Sequence, residues 1–127
     1  MPDRELKILV VDDVPSMRKI IRKSLEQLGY RHFEEAEDGE AAWAKLSREP
    51  FGLIVCDWNM PKMDGLALLK AVRRDPTLFA LPFLMVTTRT GMEHILDAIR
   101  LGVSGYILKP FTTKIMREKI DKIFKQV

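Results

Sequence analysis

Cysteine occurs once in the 127 residues, at Cys56, so no disulfide can form within the chain. A reducing compartment suits such a chain, and a cytoplasmic setting is expected. Histidine occurs twice, at His32 and His94, with no metal-ligand spacing to each other or to Cys56. Both are expected at the surface. No apolar run approaches the roughly 18 residues that a membrane span needs. The opening Met1-Pro2-Asp3-Arg4-Glu5 lacks the apolar core of a secretory signal, so no membrane insertion is expected. Neither charge sign dominates: 21 Lys and Arg stand against 18 Asp and Glu, for a formal net charge of +3. The short pairs Arg22-Lys23 and Arg73-Arg74 read as solvated helix faces. With no basic stripe, no nucleic-acid partner is expected. Internal repeats, linkers and low-complexity segments are also missing.

What remains is an ordinary soluble composition, 46% hydrophobic and 31% charged. The length suits one domain, residues 1–127, with a real core. Apolar runs alternate with amphipathic stretches five times. The first strand is read at Leu6–Val11 and the first helix at Pro15–Leu28, where Met17, Ile20, Ile21, Ser24, Leu25 and Leu28 keep helical spacing. Pro15 suits the first helical turn, Asp13 is placed to cap it, and Gly29 ends the helix. A weaker strand follows at His32–Ala36, then a turn at Asp38-Gly39 and a helix over Glu40–Arg48. Leu53–Cys56 is the third strand, and Gly65 opens a helix through Leu66, Leu68, Leu69 and Val72. Phe83–Val86 is the fourth strand, Glu93–Leu101 the fourth helix and Tyr106–Leu108 the fifth strand. A last helix begins near Thr113. Strand–helix alternation with short loops implies parallel strands and right-handed crossovers. The strands lack period-2 alternation, as in a sheet covered on both faces. The expected fold is α/β, a doubly wound five-stranded sheet of order 2-1-3-4-5 with five helices.

Charged groups stand where those apolar runs end. Asp12 and Asp13 follow the first strand, Asp57 the third, and Lys109 the fifth, just before Pro110. Ligands bind at the carboxyl ends of the strands in such sheets, and strands 1 and 3 are neighbours at the switch point. Two carboxylates 4 Å apart repel by about 4 kcal/mol at an effective dielectric near 20. Three together must take up protons or bind a cation. Oxygen-only ligands with room for water favour Mg²⁺, which also accepts a phosphate oxygen. Lys109 can pair with a second phosphate oxygen, and the Thr87 hydroxyl with a third. Asp57 is the candidate acceptor, because a carboxylate can act as a nucleophile and Asp12-Asp13 form a pair suited to the metal. One Asp after a strand is ordinarily a cap or turn residue. The conjunction on four strand ends carries the reading.

These motifs resemble a known family. Val10-Val11-Asp12-Asp13, Cys56 to Gly65, Val86-Thr87 and Leu108-Lys109-Pro110-Phe111 are similar to those of response-regulator receiver domains, and the resemblance spans the chain. Glu34–Gly39, Asp57–Pro61, Gly105-Tyr106 and Lys109–Thr112 are most similar to the chemotaxis branch, the CheY type. The resemblance implies that Asp57 takes phosphate from a histidine kinase, with Asp12, Asp13, Asp57 and the backbone carbonyl of Asn59 holding Mg²⁺. It implies that Thr87 and Lys109 contact the phosphoryl group and that the Lys109-Pro110 bond is cis. Tyr106 would move inward as Thr87 shifts, opening the helix 4–strand 5–helix 5 face, with Ile95, Tyr106 and Lys119, to the flagellar motor switch protein. A phosphatase is a further candidate partner. No DNA-binding or catalytic domain is expected to follow, no enzyme activity beyond self-phosphorylation and slow self-dephosphorylation, and a monomer.

Two positions depart from the branch. Arg89, two residues past Thr87, stands where an acidic residue is common; with Asn59, two past Asp57, it is expected to tune the rates. A cation there could attract small phosphodonors or change the access of water. Gly91-Met92 opens the fourth helix where lysines are common, which leaves the partner's identity open. The alternative role is a stand-alone phosphorelay intermediate or phosphate sink. Two enzyme readings fit less well. A flavodoxin needs hydroxyls and backbone donors after strand 1, where this chain has Asp12-Asp13-Val14-Pro15. A haloacid-type phosphatase needs Asp-x-Asp there.

Overall fold

The computed structural model describes residues 3–125. Five parallel strands run β1 (Lys7–Val11), β2 (His32–Ala36), β3 (Leu53–Cys56), β4 (Phe83–Thr87) and β5 (Gly105–Leu108). Their spatial order is β2-β1-β3-β4-β5, the order expected for this doubly wound sheet. Five helices connect and follow them: α1 (Pro15–Gln27), α2 (Gly39–Leu46), α3 (Gly65–Arg74), α4 (Met92–Arg100) and α5 (Thr113–Phe124).

Why the strands read as unbroken apolar runs is now plain. Alternate residues of one strand feed two separate cores. Leu9, Val11, Ile54, Cys56, Phe83 and Met85 pack with residues of α2, α3 and α4 on one face. Ile8, Val10, Leu53, Val55, Leu84 and Val86 pack with residues of α1 and α5 on the other. All twelve are fully buried. Each buried large aliphatic side chain contributes on the order of 1.5–3 kcal/mol before chain entropy is counted. β2, at the edge, has only Ala36 buried.

Local chemistry sets the helix ends. Asp38, Asp64 and Thr112 cap α2, α3 and α5, each side chain accepting from the backbone N–H three residues on, at 2.8, 2.9 and 3.1 Å. After α1 and α4 the chain turns through left-handed backbone at Gly29 (φ 100°) and Gly102 (φ 85°), conformations that disfavour a Cβ. One expected cap is corrected. The residue before α1 is Val14, with no side-chain cap, and Asp13 plays no part. Asp12 Oδ1 instead accepts from Val14 N–H at 3.0 Å, bracing the turn ahead of the helix without capping it, and Asp13 is exposed. β4 also runs one residue further than its apolar pattern, because Thr87 pairs with Leu108 and its carbonyl accepts from Lys109 N–H. Among the described residues no helix is long and apolar enough to cross a membrane.

Candidate functional site

Register brings the strand ends to one place. β1 lies between β2 and β3, and Val11 pairs with Cys56, so Asp12 and Asp57 leave the sheet side by side. Asp57 N–H donates to Val11 C=O at 2.9 Å, and Asp12 N–H to Ala36 C=O at 3.1 Å, fixing both backbones. Asp12, Asp13 and Asp57 each present a carboxylate oxygen, all within 4.8 Å of one another. Asp12 is wholly buried and Asp57 7% exposed.

Lys109 reaches in from the end of β5. Its Nζ donates to Asp12 Oδ2 at 2.9 Å and lies 3.4 Å from Asp57 Oδ2. The Lys109-Pro110 bond is cis. One ammonium against three carboxylates leaves a net formal charge of −2. That imbalance, in a cluster of oxygens with one exposed member, fits a divalent hard cation. The other Asp57 oxygen, Oδ1, accepts from Trp58 N–H at 2.7 Å.

The ends of β4 and β5 complete the surroundings. Thr87 is fully buried. Arg89 N–H points at its Oγ1 from 3.4 Å, a long contact. The half-buried Tyr106 donates its hydroxyl to Arg89 C=O at 2.9 Å. Burial raises the Tyr106 phenol above its usual range, so the hydroxyl stays a donor. Ile95 and Lys119 are half-buried. Around them Met92 (69%), Leu96 (39%) and Ile99 (57%) expose apolar surface at one-turn spacing on α4, with Leu108 on β5 and Ile115 on α5 also exposed.

One grouping escapes the sequence pattern. Asn59 and Arg89, thirty residues apart, meet directly: Arg89 Nε and Nη2 both donate to Asn59 Oδ1, at 3.0 and 2.7 Å. His94 of α4, expected at the surface, is half-buried and accepts on Nε2 from Arg89 Nη1 at 3.0 Å. The guanidinium lies 5.1 Å from the centre of the Trp58 ring, and the His94 ring meets Trp58 edge-on at 5.4 Å. The position of Arg89 two past Thr87 is the one signal that pointed there; nothing in the spacing points to His94.

Cys56, beside the cluster, has its own consequence. Burial first, then the Asp57 and Asp12 carboxylates, pushes its thiol well above the ordinary range. The folded protein is therefore expected to resist iodoacetamide at pH 8, and to react only when unfolded in urea. Modification of the native protein at a free thiol's rate would contradict this burial.

The model of the response regulator receiver domain matches residues 8–121. This chain belongs to that family. Within it, the receiver is of the kind found in CheY-type chemotaxis response regulators. It is 45% identical over 125 residues to "Chemotaxis protein CheY-3" of Vibrio cholerae serotype O1, covering 98% of this chain and 96% of that protein. It is 48% identical over 122 residues to "Chemotaxis protein CheY" of Pseudomonas aeruginosa, covering 96% and 98%. Among solved structures it matches CheY4 of Vibrio cholerae with a TM-score of 0.86 at 34% identity, covering 94% of this chain and 99% of that one. Receiver domains of this kind are generally signalling domains without enzymatic activity. They bind Mg²⁺ through an acidic pocket, and Asp12, Asp13 and Asp57 form such a cluster here.

Proposed function

We propose that this receiver, taken as one unit over residues 1–127, accepts a phosphoryl group on Asp57 from the phosphohistidine of a histidine kinase. The observation that carries the reading is the meeting of three carboxylates with the Lys109 ammonium at the strand ends. An Asp57 carboxylate oxygen attacks phosphorus, the phosphorus–nitrogen bond breaks, and the imidazole leaves with its electron pair and takes up a proton. Lys109 lies against Asp57 Oδ2, where it can follow the charge onto the phosphoryl oxygens. Asp12, Asp13, Asp57 and the carbonyl of Asn59 would hold Mg²⁺, which supplies charge neutralisation between carboxylates and phosphoryl oxygens.

Thr87 then contacts the phosphoryl group. Its backbone pairs with β5, and the Tyr106 hydroxyl already bonds the loop that follows, so a shift of Thr87 reaches the α4–β5–α5 face. The exposed apolar residues of that face, and the chemotaxis names of the relatives, favour the flagellar motor switch protein as target. The protein works as a cytoplasmic monomer, with a phosphatase as a further partner.

Trp58 provides the test, since its N–H is bonded to Asp57 and its ring is buried. Titration with acetyl phosphate and Mg²⁺ is expected to change Trp58 fluorescence and to add one phosphoryl mass. Asp57→Asn or a chelator should abolish both. No adduct on the unaltered protein would sink the reading. Capture of a histidine phosphotransfer protein in place of the motor switch protein would turn the assignment to a phosphorelay intermediate.

A further inference from the structure

The Arg89 cluster carries a role that goes beyond a charge near the acceptor, and it rests on Asp57 being that acceptor. Other guanidinium groups of the chain form ion pairs. Arg18 and Arg22 pair with Glu35, for example. Arg89 has no carboxylate within ion-pair distance, among the described residues. It is held by neutral groups alone: the Asn59 amide oxygen, the His94 imidazole nitrogen and the face of Trp58. A guanidinium has five N–H donors. Three are used here, so two remain for an incoming anion.

The His94 contact has a chemical consequence. Arginine can only donate, so Nε2 of His94 must accept, and Nδ1 carries the ring proton. That Nδ1 is buried with no hydrogen-bond partner among the described residues. An unmet buried donor is unfavourable, and each one calls for a reason. Here it is the consequence of turning Nε2 toward Arg89.

We infer that His94, with Asn59, is a positioning residue that fixes Arg89 with its charge unneutralised as a docking group for the anionic oxygens of the phosphodonor. The clamp spans the loop after β3, the loop after β4 and α4, and it holds the guanidinium over the ring of Trp58, the residue that follows Asp57 in the chain. A cation fixed in place beforehand needs no ordering when the donor arrives, which favours binding.

The test is the rate of Asp57 phosphorylation against acetyl phosphate concentration, at saturating Mg²⁺, read by intact mass. Arg89→Ala is expected to raise the half-saturating concentration about tenfold. His94→Leu keeps the size but removes the acceptor, and should raise it roughly threefold with the maximal rate retained. His94→Gln, whose amide oxygen can accept from Arg89, should restore the original value. The deciding step is the double variant: in an Arg89→Ala background, His94→Leu should add nothing, because nothing is left to position. Two effects that multiply independently would overturn the inference, as would an unchanged half-saturating concentration in Arg89→Ala. Thermal melting identifies a His94→Leu protein that is merely unfolded, and His94→Gln with Arg89→Ala then decides. Failure of the unaltered protein to take any phosphoryl group is a different result, because it removes the acceptor reading itself.

Discussion

Lys109→Ala is expected to destabilise the protein by about 3 kcal/mol in chelator at neutral pH, since removing one partner of a buried ion pair leaves the other charge unmet. Two buried carboxylates depend on that ammonium: Asp12 Oδ2 at 2.9 Å and Asp57 Oδ2 at 3.4 Å, with only 11% of the Lys109 side chain exposed. Without it three carboxylates stand together with no side-chain cation paired to Asp12 or Asp57 among the described residues. A divalent cation should then compensate. A ligand that binds only the folded state at a hundred times its Kd stabilises by about 2.7 kcal/mol. Most of the loss should therefore return in Mg²⁺, and the gain from Mg²⁺ should exceed that of the unaltered protein, because a competing positive charge has gone. Urea unfolding of both proteins, with chelator and with Mg²⁺, measures all four terms. An equal loss in both conditions would mean that Lys109 acts through packing of its stem and not through charge.

How far the sequence foretold this site depends on what each residue needed. Parallel strands follow from strand–helix alternation, and the placement of Asp12, Asp13, Asp57 and Lys109 at strand ends from where the apolar runs stop; the order 2-1-3-4-5, a common one for doubly wound sheets, then makes them meet. Those are signals local to each strand, and the parallel fold converts them into one place. Asp38-Gly39 was legible as a turn, and the structure adds that Asp38 caps α2. Side chains that bridge distant segments were not legible. Arg73, read with Arg74 as a solvated helix face, in fact donates to the carbonyls of Gly102, Phe79 and Leu81 and to Ser104 Oγ. Its burial lowers its pKa from the usual value. Arg22, from the other such pair, lies against Glu35 and over the Phe33 ring. The Arg89–Asn59–His94 clamp joins three segments through rotamers, which no periodicity encodes. His94 is half-buried because Arg89 and Trp58 fill the space beside it, not because of any pattern on α4.

Gly65→Ala is expected to be strongly damaging although it adds only one methyl group. Gly65 opens α3, and its N–H donates to Trp58 C=O at 2.9 Å, so the helix start lies directly on the backbone that carries Asp57. A Cβ at residue 65 would run into Asp57 O and stand 2.9 Å from Trp58 Cα. Both obstacles are main chain, which cannot rotate aside as a side-chain tip can. Overfilling a packed site costs typically 1–3 kcal/mol, and the upper end, about 3 kcal/mol, is expected here. The strain is expected to displace the segment Asp57 to Asn59, which holds the carboxylate proposed as acceptor and the Asn59 carbonyl proposed for Mg²⁺. Stability and Mg²⁺ affinity should therefore fall together. Gly52→Ala is the informative contrast, because the Cβ there meets the side chain of Leu6, far from the site, with the nearest backbone atom, Lys7 O, at 3.7 Å. It should cost stability and leave Mg²⁺ affinity unchanged. Urea unfolding paired with Mg²⁺ titration of Trp58 fluorescence separates the two. If Gly65→Ala lost stability but kept its Mg²⁺ affinity, the helix would have moved instead of the acceptor loop, and the rigidity assigned to that loop would be wrong.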